Sequence, residues 1–308
     1  MTPRQLRYFL RIAELGSFSR AAAVLFVAQP ALSRQIKQLE EELGVTLFVR
    51  SDSGARLTEA GELMASRSRE LLQYMENLRS DVGALAVSVQ GQFCFGMPPS
   101  LCDLMTVPLM EQSHRQYPAV RLSITEGISS SIYQQVLAGD LDAGIVSSTE
   151  SMRGLESRSL ITEPLVLAHP RGMAIERRPD GSVELEQVVQ HPLALTRSPN
   201  AMRVILDEEL KRSGLKVKLL FESNSTRLLV KTVSRGLGCT VNPYSAMHDE
   251  HRAGAISLAP VHGLNVTWSL IYSRERSMPA AGQKLVELFH GIAQRHMAAG
   301  DWPGAVQV

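Results

Sequence analysis

The apolar residues of this chain keep one spacing up to residue 85 and another from residue 90 onward. That change limits the fold more than any other feature. In the first segment apolar residues recur every three or four positions, the period of helices that bury one stripe. In the second, short apolar runs alternate with helical patterns, which implies α/β units around mainly parallel sheets. The 308 residues thus divide into two or three domains, at about 100–200 residues each.

Leu6, Phe9, Leu10 and Ala13 form the first stripe, which Gly16 ends. Ser17 and Ser19 can cap a second helix through Ala21, Ala22, Leu25 and Phe26. A third opens at Pro30, whose missing N–H costs nothing in a first turn. Its buried stripe is Leu32, Ile36, Leu39 and Leu43, and Gly44 stops it. Off that stripe lie Gln29, Ser33, Arg34 and Lys37, while Glu40, Glu41 and Glu42 crowd the far end. A helix entering a major groove by its N-terminal half shows this asymmetry, with Arg and Gln able to reach base edges. Leu47-Phe48-Val49-Arg50 and Ala55-Arg56-Leu57 flank a polar turn, so a short hairpin carries Arg50 and Arg56 at its tip. Residues 1–58 hold eight basic and five acidic side chains, +3, in a chain of net charge +1. The overall balance argues against binding nucleic acid by bulk charge, but the local excess fits a DNA-reading module. A three-helix domain whose basic residues only solvate its surface is the alternative.

Thr58 can cap a longer helix, with Glu59 in its first turn. Met64, Leu71, Met75, Leu78, Val82 and Leu85 then form a heptad seam. That seam reads as a dimer interface, or as a face packed on the helix's own domain.

Leu6-Arg7-Tyr8-Phe9, Gly16-Ser17-Phe18, Ala21-Ala22, Gln29-Pro30-Ala31-Leu32-Ser33, Leu39-Glu40, Leu43-Gly44, Leu47-Phe48-Val49-Arg50 and Leu57-Thr58-Glu59-Ala60-Gly61 follow one another in order. This run resembles the winged helix-turn-helix of LysR-type transcriptional regulators. The resemblance implies an α/β architecture: an N-terminal winged helix-turn-helix (residues 1–58), a long linker and dimerisation helix (59–89), and a periplasmic-binding-protein-like effector domain of two subdomains. The first would be 90–162 plus 268–303, the second 163–267. The DNA-contacting residues it implies are Gln29, Pro30, Ser33, Arg34, Lys37, Arg50 and Arg56. Partners implied are double-stranded promoter DNA, a small-molecule effector, RNA polymerase and a homodimer assembling to a homotetramer. No cofactor and no membrane partner are implied.

Strands are expected over 92–96, 120–126, 143–146, 165–168, 193–196, 219–222, 239–241 and 267–272, and helices over 101–116, 132–137, 201–212, 228–234 and 285–296, with Pro108 inside the first of these. Ligands in open α/β sheets bind beyond the carboxyl ends of strands, near helix N-termini. Four loops qualify, and the resemblance places effector contacts on them at Ser100, Leu101, Ile128, Ser129, Thr196, Arg197, Asn242 and Pro243. Hydroxyls and free N–H groups there suit a small organic anion, and Arg197 adds a charge. The competing reading makes these serines and threonines ordinary helix caps. Asn242 departs from the family, where an apolar residue is expected. The serine-rich loop at 128–131 and the Pro98-Pro99-Ser100 turn resemble the subgroup handling nitrogen control and aromatic acids.

An enzyme needs a constellation that the sequence lacks: it has no Gly-x-Gly-x-x-Gly, no Walker loop and no Gly-x-Ser-x-Gly. The eight histidines are scattered, and His248 and His251 have no further ligand cluster nearby, so no metal site is expected. Three cysteines, Cys94, Cys102 and Cys239, make no disulfide framework, and Cys94 reads as a core thiol rather than a redox switch. Charges at Arg4, Arg7, Arg11 and Glu14 interrupt any signal-like apolar region, so the expected location is cytoplasmic. The sequence therefore reads as a ligand-responsive DNA-binding regulator. An effector-independent regulator of the same kind, or a cytoplasmic α/β solute-binding protein, are the alternatives.

Overall fold

A computed structural model describes residues 1–308 apart from 52–53, 85–88 and 148–151. The chain forms two compact units, one of residues 1–82 and 138–140, the other of residues 83–137 and 141–308.

In the first unit, α1 (Pro3–Leu15), α2 (Phe18–Leu25) and α3 (Gln29–Leu43) precede a hairpin of β1 (Phe48–Ser51) and β2 (Gly54–Leu57) and the long α4 (Glu59–Ala84). Each helix start has its local cause. Thr2 and Gln5 exchange hydrogen bonds in a capping box, Ser17 caps α2, and the Thr58 hydroxyl accepts from the Gly61 N–H at 3.0 Å. Helix α3 begins at Gln29, one residue before the expected Pro30, which takes a first-turn position. Gly16 and Gly44 end α1 and α3 in the left-handed region. Phe9, Ile12, Leu32, Ile36, Leu39, Leu47 and Phe48 fill the core, as the stripes require. Gly54 has no alternative: a Cβ there would sit 2.4 Å from the Gly16 carbonyl oxygen.

The residues of the expected seam meet different surroundings along α4. Met64 packs against the winged domain's own core, with Leu72, whereas Leu71 and Leu78 stay exposed beside Leu63 and Tyr74. The side chain of Val82, and all of Leu85, lie outside the described residues.

The second unit contains β3 (Gly91–Met97), α5 (Pro99–Leu101), α6 (Val107–Gln116), β4 (Val120–Glu126), α7 (Ser129–Ala138), β5 (Ala143–Ser147), β6 (Leu155–Pro170), α8 (Leu185–Val188) and β7 (Pro192–Thr196). It continues through α9 (Ala201–Ser213), β8 (Lys218–Ser223), α10 (Thr226–Ser234), β9 (Thr240–Pro243), α11 (His248–Arg252), β10 (Ile256–Ser273), α12 (Ala280–Ala298) and β11 (Val306–Gln307). Among the described residues the main sheet has seven strands, in the order β11-β6-β10-β5-β3-β4 with β9 also on β6. β7 and β8 form a separate parallel pair, bridged to Cys239 through Leu193.

The short apolar runs imply a mainly parallel sheet, and the structure corrects this. Strand β3 is parallel to β4 and β5, but β6 and β10 are antiparallel to each other, β10 is antiparallel to β5, and β6 to β9. The strands expected at 165–168 and 267–272 are the apolar ends of strands of 16 and 18 residues. Their remaining halves carry Glu156, Ser157, Arg158 and Ser159, or Pro260, His262, Gly263 and Asn265, so no apolar run marks them. The register between β6 and β10 shifts where Pro260 and Asn265 follow one another in the pairing. The helix expected at 101–116 is also broken. A π turn over Cys102–Thr106 separates α5 from α6 and leaves Pro108 in the first turn of α6, where its missing N–H disrupts nothing.

Candidate functional site: a DNA-reading helix and an effector cleft

The N-terminal half of α3 presents its polar residues as expected. Gln29, Pro30, Arg34 and Lys37 are exposed or nearly so, and Ser33 is half-buried. The Gln29 amide donates to the Ser33 hydroxyl at 2.9 Å, which pre-orients both on one face. Lys37 lies 3.6 Å from Glu41. Arg56 is exposed on β2, opposite Val49. The side chain of Arg50 and the wing tip at 52–53 lie outside what the structure describes.

The acidic end of α3 does more than keep away from phosphates. Glu40 turns its Oε1 toward the hairpin and accepts the backbone N–H of Leu47 at 2.7 Å and of Phe48 at 3.2 Å. Glu42 pairs with the N-terminal ammonium of Met1. Sequence reasoning misses Glu40 as a functional residue because it stands in a run of three identical charges.

In the second unit a recess is lined by Pro98, Ser100, Ile128, Ser129, Asn200, Met202, Asn224, Thr226 and Trp268, among others. Three of the expected contacts, Ser100, Ile128 and Ser129, meet there. Leu101 is fully buried in the core instead. Thr196 is buried at the end of β7, where its carbonyl accepts from Arg203 Nη1 at 3.2 Å. Arg197 is exposed outside the lining. Asn242 and Pro243 are buried in β9; the Asn242 amide donates to Thr240 Oγ1 at 3.0 Å. The strand-end rule thus reaches this recess beyond β3 and β4; beyond β7 it stops at Thr196, short of Asn200, and in place of the β9 end the lining uses Asn224 and Thr226 beyond β8. The lining residues Asn200 and Thr226 carry a readable signal, since Asn200 caps α9 by accepting the Met202 N–H at 2.9 Å and Thr226 opens α10. Trp268 gives none, because it lies mid-strand in β10.

The first turns of α7, α9 and α10 all contribute lining residues, so three helix N-termini converge with their N–H groups and partial positive charge. Among the described residues no lysine or arginine lines the recess. It encloses about 40 Å³. A water needs about 10–15 Å³ by that measure, so this arrangement of the cleft holds a few waters and no organic molecule. The Ser129 hydroxyl is already engaged, accepting the Ser147 N–H at 3.1 Å.

No described group of three or more His, Cys, Asp or Glu side chains has metal-binding geometry. Burial pushes the thiols of Cys102 and Cys239 up to about 11 and that of Cys94 upward, so all three stay protonated and weakly nucleophilic. No described helix is long and apolar enough to cross a membrane.

Residues 3–62 match the bacterial regulatory helix-turn-helix family of LysR type, and residues 87–293 match the LysR substrate binding domain. The chain belongs to the LysR family of transcriptional regulators. It is 29% identical to the nitrogen assimilation regulatory protein nac of Klebsiella aerogenes, over 96% of each chain. It is 28% identical to the transcriptional regulator BbuR of Bordetella bronchiseptica, over 97% of this chain and 92% of that one. Among solved structures it resembles a full-length single-residue variant of OxyR from Pseudomonas aeruginosa, with a TM-score of 0.71, 26% identity and coverage of 96% and 95%. This LysR-family chain is therefore a DNA-binding regulator with an effector-binding domain, and not an enzyme.

Proposed function

We propose that this regulator reads promoter DNA through Gln29, Pro30, Ser33, Arg34 and Lys37 in the major groove, with Arg50 and Arg56 on the flanking backbone, and that a small organic anion in the cleft sets its arrangement on DNA. The convergence of three helix N-termini on a recess lined by hydroxyls and amides carries the second part. Such a site holds a carboxylate or sulfonate without a guanidinium. The subdomains meeting at the cleft are 90–162 with 268–303, and 163–267. The recess must widen to admit the ligand. The effector then shifts the regulator only by its differential affinity for the open and closed arrangements. The exposed Leu63, Leu71, Tyr74 and Leu78 of α4 support a homodimer through that helix. Dimers pairing into a homotetramer would place winged modules on successive half-sites and present them to RNA polymerase, in the cytoplasm.

A thermal-shift panel of aromatic carboxylates, sulfonates, amino acids and dicarboxylates tests the cleft. A ligand at 100 times its Kd adds about 2.7 kcal/mol of stability. The gain is expected to vanish in Thr226→Val and to survive in Thr196→Val, which lies off the lining. The small closed recess favours one other reading, a regulator that works without an effector. Silence across the panel supports it.

A further inference from the structure

The chain has two tryptophans, and both donate to one carboxylate. Glu163 is wholly buried on β6, at the point where the strand passes from one set of partners to the other. Its Oε1 accepts from Trp268 Nε1 at 2.6 Å and Ser245 Oγ at 2.7 Å. Its Oε2 accepts from Trp302 Nε1 at 2.9 Å and the Ser245 N–H at 3.0 Å. Burial pushes this carboxyl above its ordinary range, although the four hydrogen bonds pull against it. The two indoles and the backbone N–H can only donate, so the carboxyl accepts from three fixed donors, while the Ser245 hydroxyl can serve as donor or acceptor.

The donors come from three places. Trp268 lines the cleft. Ser245 follows β9. Trp302 belongs to the C-terminal tail, beyond the residues that match the family's substrate-binding domain. That tail is docked along its length: Val306 and Gln307 pair with Thr162 and Ile161, the Val308 N–H donates to the Leu160 carbonyl at 3.2 Å, and Gln294 donates to Gln307 at 3.0 Å. Gly304, at φ +76°, lies so close to Pro164 that a Cβ would come within 2.9 Å of its Cγ.

We propose that Glu163 is a positioning residue for the cleft: by holding both indoles it fixes Trp268 against the recess and ties it to the C-terminal tail, so that docking of the tail sets the geometry in which the effector is received. The proposal rests on the cleft being the effector site. It makes the tail a clasp on β6, and Trp268 a buried wall held in place beside the recess.

Hydrogen exchange of the full-length protein, without ligand, tests it. Trp302→Phe keeps an aromatic ring in place but removes the N–H. Gly304→Ala lifts the tail and leaves Glu163 and both indoles intact. In each, amides of the tail and of the loops at 98–101, 199–202 and 224–226 are expected to exchange about tenfold faster or more, as for loss of a hydrogen bond to a charged group. Amides of the central strand β3 should keep their rate. The Trp268 emission of Trp302→Phe should shift red, and adding Glu163→Gln should abolish the difference in exchange that Trp302→Phe makes on its own. Faster exchange in the tail alone would overturn the coupling. Uniform acceleration, or loss of the fold in both variants, would also overturn it, since the tail would then be part of the core and no clasp. A silent ligand panel would sink the effector reading while leaving these exchange rates as they are, so the two failures are distinguishable.

Discussion

Glu40 offers a decisive perturbation, because its charge and its hydrogen bonds push DNA affinity in opposite directions. One oxygen of this side chain holds the N–H groups of Leu47 and Phe48, where the chain enters the hairpin. A hydrogen bond to a charged group contributes about 1.5–3 kcal/mol, and a half-exposed site lies at the low end. The two bonds share an acceptor, so Glu40→Ala should cost about 2 kcal/mol. That opens the start of β1 roughly thirtyfold more often. Removing an acid near DNA should by itself tighten binding, whereas freeing the wing should weaken it. Glu40→Gln removes the same charge and keeps an acceptor oxygen. Fluorescence anisotropy on the promoter fragment separates the effects: Gln is expected to bind as tightly as wild type or tighter, and Ala several-fold more weakly, with faster amide exchange at Leu47 and Phe48. An Ala variant that binds more tightly than wild type, with those amides still protected, would refute the reasoning.

Arg34→Ala should cost about 1–3 kcal/mol of sequence-specific binding in gel shifts, while Lys37→Ala should chiefly flatten the salt dependence. Phe26 is fully exposed at φ 55°, a left-handed turn position that penalises a bulky side chain, so Phe26→Asn should raise the stability of the winged domain by about 0.5–1 kcal/mol, read from its melting temperature. A Cβ at Gly61 would lie 2.2 Å from the Leu47 carbonyl oxygen, so Gly61→Ala should destabilise by about 2 kcal/mol or more in denaturant melts. Burial holds the imidazoles of His169, His290 and His296 below their ordinary range. The unfolded chain therefore takes up protons first, and stability should be full above about pH 6.5 and fall as the pH drops below it; a melting temperature that stays constant below that pH would contradict it.

The winged domain is legible almost residue by residue because its signals are local. Caps, glycine stops and a 3.6-residue stripe lie within a few positions of what they determine, as Ser17, Gly44 and the Leu32–Ile36–Leu39 stripe illustrate. The crossover strands are half legible. Leu165 to Ala168 and Thr267 to Tyr272 announce themselves, but the polar halves of β6 and β10 are strands only because each finds the other, as Glu163 finds Val266 far along the chain. The cleft is legible on one wall: Ser100 and Ser129 stand just beyond β3 and β4. On the other wall the lining falls to Asn200, one turn beyond Thr196, and to Asn224 and Thr226 beyond β8, a strand end that reading the sequence passes over in favour of Asn242. Glu163, Trp268 and Trp302 could not be linked from sequence, since nothing local relates a glutamate to indoles 105 and 139 positions away.

The crossover also dictates an order of events during folding. Strand β5 has β3 on one side and β10 on the other, and β10 pairs with it through Trp268 to Tyr272, far later in the chain. While the ribosome makes the intervening segment, β3, β4 and β5 can assemble with the outer edge of β5 open. Every residue of that strand is buried in the finished protein, so the edge is apolar and sticky. Closure waits for the chain to return as β10, a long-range pairing of the slow kind. Anything that delays residues 256–273 lengthens the exposure of this edge, and the yield of folded protein is set by how fast the chain comes back.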